Sequence, residues 1–335
     1  TDLGMLCLFK YANFFVDNAT RVLHALGLRD AALPLVNIAL PLGISYYLFK
    51  SMSYVIDVYR GVIKAPETNI FYYALYLSFF PQIESGPIQR AVHFLPQLHR
   101  PRTIDRDKIF RGLYLIFWGA YKKTVLANNL GLLADEIFYT PKPGGLMALA
   151  GTYMYVFQLY ADFSGYSEIS IGLGALLGLA TDANFNRPFF SRNPPEIWNR
   201  WHISLSTWIR DYVFFYVDAI RVRRWGRRAR GISVAVLTTM VVMGLWHGAS
   251  ALWVLWGVYH GALLSVYRWS TSGPRRGGTS ARWDVLRQIC TFHLLALGSL
   301  FVRASSPAQA FDMLGAMFSF RRPHAGAARA MISMA

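Results

Sequence analysis

Two histidines carry the chemistry this sequence can offer. His247 sits in Gly244-Leu245-Trp246-His247-Gly248-Ala249, inside the longest uncharged stretch of the chain: from Gly231 to Tyr267 there is no Asp, Glu, Lys or Arg. An ionisable side chain in so apolar a run is a functional-site candidate, because hydrocarbon penalises it unless a role holds it there. A neutral imidazole among apolar side chains keeps a free lone pair and can take a proton from a hydroxyl. Trp246, with the small Gly244 and Gly248, would wall such a pocket closely without filling it. The plainer alternative is a core histidine hydrogen-bonded between helices.

His202 has a different setting. The run from Trp198 to Tyr212 mixes three Trp with Asn199, Arg200, Ser204, Ser206, Arg210 and Asp211. Helical spacing puts Trp201, Leu205 and Trp208 on one face, which predicts an interfacial or re-entrant amphipathic helix with its tryptophans at headgroup level. A structural or donor-positioning role fits His202 as well as chemistry does. Asn199, Ser204, Ser206 and Arg210 are candidate hydrogen-bond donors. His260 and His293 read as single histidines on apolar helices, with no partner at a useful spacing.

The elements that must position these residues are helical and membrane-embedded. Hydrophobic residues make up 54% of the 335 and charged residues only 16%, which places the chain among polytopic α-helical membrane proteins rather than soluble domains. Apolar runs recur at 31–49, 70–83, 112–121, 144–161, 169–181, 231–267 and 289–302. A spanning helix needs about 20 residues, so several of these qualify outright and the shorter ones read as partial or re-entrant. The 37 residues of the uncharged run, bracketed by arginine-rich flanks, would make one helix of about 55 Å, too long for a hydrocarbon core of about 30 Å, so a hairpin fits better. A single strongly tilted helix, which would place His247 nearer the middle, is the alternative. In that hairpin His247 lies 17 residues past Arg230, about 25 Å inward.

A formal net charge of +16 would suit nucleic acid, but its distribution argues for topology. Arg221, Arg223, Arg224, Arg227, Arg228 and Arg230 form one block; Arg268, Arg275, Arg276, Arg282 and Arg287 a second; His99, Arg100, Arg102, Arg106, Lys108 and Arg111 a third. Cytoplasmic loops gather Lys and Arg, which also touch anionic lipid headgroups. A nucleic-acid partner is not expected. Cys7 and Cys290 build neither a disulfide framework nor a metal site, and the carboxylates do not cluster with the histidines, so no metal is expected. The chain opens on Thr1 rather than Met, so its natural start is expected upstream, and with no secretory leader visible membrane targeting is expected to rest on the spans themselves.

Two polar, glycine-bearing patches fall at membrane depth, Phe80 to Arg90 and Tyr160 to Glu168. Broken backbone is tolerated there only where protein buries it or water lines it, so both patches predict an internal cavity or tunnel. Asp162 and Glu168 would pair with Arg187 or Arg210 to hold the fold.

The residues themselves carry a resemblance. Leu40-Pro41-Leu42-Gly43-Ile44-Ser45-Tyr46-Tyr47, Asp57-Val58-Tyr59-Arg60-Gly61, Gly86-Pro87-Ile88, Tyr160 to Ser167, Asn184-Phe185-Asn186-Arg187-Pro188, Arg200 to Ser206 and Gly244 to Gly248 occur in the order seen in membrane-bound O-acyltransferases. One such string is a weak signal; seven in order are a strong one. The chain resembles the bacterial branch that holds the alginate O-acetylases and teichoic acid D-alanyl transferases. The resemblance runs from about residue 35 to 268, within a single membrane-embedded domain taken to cover 1–335.

The resemblance implies an all-α helical ring around a central tunnel with re-entrant segments, multi-pass in a bacterial inner membrane. It implies that His247 matches the catalytic histidine and His202 the second histidine near the tunnel, with Trp246, Asn199, Trp201, Ser206 and Asp162 along the substrate path. It implies no permanently bound cofactor. The acyl donor would be a cytoplasmic thioester, acetyl-CoA or an acyl carrier protein, and the acceptor a hydroxyl of an exported polysaccharide. An extracytoplasmic partner resembling SGNH hydrolases would receive or complete the transfer. D-alanylation of teichoic acid is the alternative within the class. A secondary transporter is the alternative outside it, but that fold shows two related halves and no internal repeat is visible here.

Overall fold

The computed structural model describes residues 2–28, 33, 41–102, 105–226, 231–271, 281–319 and 322, and among them every regular element is helical. In chain order, α1 (Asp2–Leu6) runs through a π-helical turn at Cys7–Tyr11 into α2 (Ala12–Ala25). Helices α3 (Ile44–Tyr59), α4 (Ile70–Ser78), α5 (Ala91–Leu98), α6 (Arg106–Tyr121), α7 (Asn128–Tyr139) and α8 (Gly145–Leu176) follow. The short α9 (Pro194–Trp198) and α10 (Ile203–Ile209) precede α11 (Phe215–Trp225), α12 (Gly231–His247), α13 (Ala251–Ser270), α14 (Ala281–Arg303) and α15 (Pro307–Phe318). Most of the first apolar run, 31–40 apart from Leu33, lies outside the described residues, as do Arg227, Arg228, Arg230, Arg275 and Arg276.

Local chemistry sets the helix starts. Asn69 accepts from the Phe71 amide at 2.9 Å, Asp105 from Lys108 at 2.8 Å, and Asn193 from Glu196 at 2.9 Å. Each such cap contributes about 1 kcal/mol. In the loop before α4, the Asn69 amide and the His99 ring hold the Glu67 carboxyl below the usual glutamate range.

The surface is inverted relative to a soluble protein. Phe71 is 79% exposed, Phe117 78% and Leu146 76%, while Lys50, Gln82, Asn184 and His202 are buried. So much exposed aromatic and aliphatic surface is stable only against lipid or another protein. A buried lysine is paired, as lipid requires: the Lys50 ammonium donates to Gln82 Oε1 at 2.8 Å and to the Tyr76 carbonyl at 3.2 Å.

The uncharged run is a hairpin. α12 and α13 meet along their length around the turn at Gly248–Ser250, with Gly257 so close that a Cβ there would lie 2.5 Å from the Met240 carbonyl. Beyond a 3-10 turn at Phe80–Gln82 the 80–90 segment is irregular, its stretch Gly86–Gln89 is buried, and Gly86 lets it press on Ser170 of α8.

Four expectations need correction. Several self-sufficient spans were expected, yet among the described residues only α14 is long and apolar enough to cross a membrane, with α12 a shorter apolar helix. The long α8, rich in Gly, Ser and Tyr and carrying Asp162 and Glu168, has too low a mean hydropathy. Tyr160 to Glu168 is therefore no break: it sits in the middle of that 32-residue helix. Its small residues serve helix packing instead. A Cβ on Gly165 would stand 2.6 Å from the Gly119 carbonyl, and one on Gly172 2.6 Å from that of Gly112, so α6 and α8 approach backbone to backbone.

Third, Asp162 and Glu168 pair with neither Arg187 nor Arg210; their partners are Lys123 and Lys122, each at 2.6 Å. The lysines project from the π-helical stretch Lys122–Ala127, directly across the α6–α8 contact. Fourth, the 198–212 run is not one amphipathic helix. α10 begins only at Ile203, so Trp201 leaves the face of Leu205 and Trp208, and these two are core residues rather than headgroup anchors. In the first arginine block, Arg221 is buried, bonded to Asp218 at 2.7 Å and to the Gly226 carbonyl at 3.1 Å, so it caps its own helix rather than meeting lipid.

Candidate active site

His247 is the last residue of α12, at the hairpin turn. Its imidazole stacks on Trp253 of α13, with ring centroids 4.7 Å apart and planes 15° from parallel, and meets Trp246 and Trp256 edge-on. Glycine makes this possible. A Cβ on Gly248 would overlap the Trp253 ring, and one on Gly244 the Trp253 carbonyl. These glycines therefore bring α13 against the histidine, where the sequence suggested only a narrow wall. No hydrogen bond reaches the His247 ring nitrogens among the described residues.

The end of α12 is also held from the N-terminus of the chain. Lys10 donates to the Trp246 carbonyl and lies 5.2 Å from the centre of its ring, and Tyr11 donates to the Leu245 carbonyl at 2.7 Å. Cationic and hydroxyl donors at a helix C-terminus satisfy carbonyls that would otherwise go unpaired. Trp246 stacks on Phe49, which stacks on Trp208, so α3, α10 and α12 share one aromatic core.

His202 reaches the same place from another direction. It starts α10 with φ 44°, a left-handed conformation uncommon outside glycine, and it is 2% exposed. Its Nδ1 lies 3.1 Å from Asn184 Oδ1. Phe163 meets the ring edge-on at 4.5 Å.

A cavity of about 260 Å³ joins the two histidines. Trp246, Trp201 and Asp162 of the expected path also line it, with Asp162 ion-paired to Lys123. Asn199 and Ser206 do not. They line a second cavity of about 440 Å³ with Thr207, Arg210 and Arg268. Trp198 and Met243 line both cavities and form the wall between them.

Sequence reasoning missed His260. It is buried and lines the first cavity, packed against Trp256 at 4.8 Å and Trp198 at 5.1 Å. The signal was available: Trp253, Trp256 and His260 fall at i, i+3 and i+7, a single helical face on the arm that returns past His247. Tyr46, from the first of the ordered motifs, and Ser85, just before the third, also line it. His293 is exposed and bonds the Ile289 carbonyl in its own helix at 2.7 Å. Buried nitrogens of three lining residues, Trp198 Nε1, His202 Nε2 and Trp246 Nε1, lack a partner among the described residues.

Helices throughout the described residues, a lipid-suited surface and an aromatic, histidine-bearing cavity define the class of helical membrane proteins with an internal chamber. This chain belongs to the membrane-bound O-acyltransferase family, whose family model matches residues 63–276. It is 38% identical to the "probable alginate O-acetylase AlgI" of Pseudomonas aeruginosa, over 95% of this chain and 59% of that protein. It is 28% identical to a peptidoglycan O-acetyltransferase of Helicobacter pylori, over 94% of this chain and 63% of the relative. A teichoic acid D-alanyltransferase of Bacillus subtilis is 31% identical over 77% of this chain and 67% of its own length. The chain thus spans about three fifths of the curated alginate and peptidoglycan relatives it matches.

Proposed function

We propose that this chain is a multi-pass O-acyltransferase of a bacterial inner membrane that passes an acetyl group from a cytoplasmic thioester to a hydroxyl of an exported polysaccharide. The observation that carries the reading is the convergence of His202 and His247, 45 residues apart in sequence, on one cavity that shares Trp198 and Met243 with an arginine-lined one. The arginine-lined cavity, with Arg210 and Arg268, suits the donor, acetyl-CoA or an acyl carrier protein. The histidine cavity suits the meeting of thioester and hydroxyl. Movement of Trp198 and Met243 would join the two into the tunnel expected of a helical ring.

In this reading His247 takes the hydroxyl proton as the oxygen attacks the thioester carbonyl. The new C–O bond forms, the C–S bond breaks, and the departing thiolate recovers the proton from His247. The unpaired indole N–H groups of Trp198 and Trp246 supply donors for the oxyanion, a need that water would meet poorly here. Asn199 and Ser206 serve the donor side, and Trp201 and Asp162 the histidine cavity. Residues 1–335 act as one catalytic unit beside an SGNH-hydrolase-like partner outside the membrane. The names of the alginate and peptidoglycan relatives favour acetyl transfer, while the teichoic acid relative keeps D-alanyl transfer as a second reading.

The test is transfer itself. Purified protein and its His247→Ala form are incubated with radiolabelled acetyl-CoA and a polysaccharide acceptor. Loss of a general base predicts a fall of about 100-fold or more in labelled product. Equal transfer by both forms would remove His247 from the chemistry.

A further inference from the structure

The reading above leaves one strongly built feature unused, the buried polar cluster behind His202. Asn184, Ser167, Ser204 and His202 are all at least nine-tenths buried. Asn184 lies in the segment after α8, whose backbone docks on the turn before α10: the Ile203 amide donates to the Asn184 carbonyl at 2.9 Å, and the Asn186 amide to the Arg200 carbonyl at 2.9 Å.

The amide orientation of Asn184 follows from its partners. The Ser204 backbone N–H can only donate, and it lies 3.2 Å from the Asn184 side chain, so the atom facing it is the oxygen. The Ser204 hydroxyl donates to the same oxygen at 2.9 Å. On the other side Nδ2 of Asn184 donates to Ser167 Oγ at 3.1 Å. The oxygen that faces the Ser204 amide is also the atom 3.1 Å from His202 Nδ1. An acceptor there requires that Nδ1 carry the proton.

A neutral imidazole has one ring proton, so with Nδ1–H fixed, Nε2 is a bare lone pair. That atom is buried and has no donor among the described residues. A buried acceptor left unpaired is costly, and His202 is one of the residues that wall the cavity with His247. We infer that Asn184 is a positioning residue that locks His202 in its Nδ1–H tautomer, so that Nε2 accepts a hydrogen bond from the hydroxyl of the bound acceptor. The final clause rests on the acyltransferase reading; the tautomer does not. Ser204 and Ser167 fix Asn184, Asn184 fixes the ring, and the ring presents the lone pair.

The experiment reads the tautomer directly. Full-length protein labelled with ¹⁵N-histidine is reconstituted in nanodiscs, and the His202 resonances are identified by their loss in His202→Gln. The expected result is a protonated Nδ1 and a lone-pair Nε2. In Asn184→Ala that fixed tautomer is lost, and acetyl transfer falls at least about tenfold in kcat with a smaller change in KM, since a misplaced ring proton disables a positioned histidine. Asn184→Asp keeps an acceptor at Nδ1 and preserves the tautomer, and Ser167→Ala removes the outer bond but leaves it in place.

An Nε2–H tautomer in the native protein would overturn the inference, as would an unchanged spectrum in Asn184→Ala. A changed tautomer with unchanged transfer would remove the hydroxyl contact. Failure of the native protein to transfer acetyl would count against the acyltransferase reading instead, while the spectra alone decide the role of Asn184.

Discussion

At the scale of single residues, the site depends on what glycine leaves empty as much as on the histidines. His247 is held by a stacked Trp253 that reaches it only because Gly248 has no side chain. Gly248→Ala therefore forces the indole away from the imidazole. Overpacking of this kind costs about 1–3 kcal/mol, so the variant should unfold at lower temperature and transfer less acetyl. Native-like stability and transfer in Gly248→Ala would show that the stack is dispensable. His247 itself was legible in the sequence because an imidazole between small residues, in Gly244 to Gly248, stands out in an uncharged run without any structure. His260, in the same run, was legible only as a member of the helical face it shares with Trp253 and Trp256. Taken singly, a histidine on an apolar helix looks the same whether it faces a cavity or fills a core.

Among the elements, the contact of α6 and its π-helical extension with α8 is the most demanding. Backbones meet at Gly112, Gly119, Gly165 and Gly172, and the Lys122–Glu168 pair is drawn into that contact with little exposure on either side. Removing one partner strands the other. Lys122→Met should cost about 3 kcal/mol or more, and pairing it with Glu168→Gln should restore most of the loss. Thermal unfolding in detergent of the two single variants and the double variant measures this; equal melting of Lys122→Met and the native protein would show the pair to be inert. The misreading of Tyr160 to Glu168 has its cause here. Glycine, serine and an acidic residue mark a loop in water, but between membrane helices the same residues permit close approach, and composition does not separate the two cases.

For the whole molecule, the competing description is a transporter with a polar site at the midplane. The two cavities differ in their ionisable lining: one carries three histidines, the other is bordered by Arg210 and Arg268. Reconstituted in liposomes without an acyl donor, the protein should therefore leave solute gradients intact. A solute flux under those conditions, with no labelled product when acetyl-CoA is added, would favour transport. The N-terminal helices belong to this scale as well. Lys10 and Tyr11 precede the stretch that the family model matches, yet they hold the carbonyl end of the helix that carries His247.

By itself the sequence determined the helical class, the membrane setting, the family and the two histidines, because hydropathy, charge blocks and ordered local strings are written in consecutive residues. The length of 231–267 and the arginines on both its flanks favoured a hairpin over a single tilted helix, and α12 and α13 form one. Only the tertiary structure decided which side chains share a chamber. It put Asn199 and Ser206 on the far side of Trp198 and Met243, brought in His260, Tyr46 and Ser85, gave Asp162 and Glu168 to lysines rather than arginines, and set Asn184 behind His202. These are contacts between residues far apart in the chain. They are fixed by how closely helices approach and by which buried polar atoms must find partners, and neither quantity leaves a mark at any one position of the sequence.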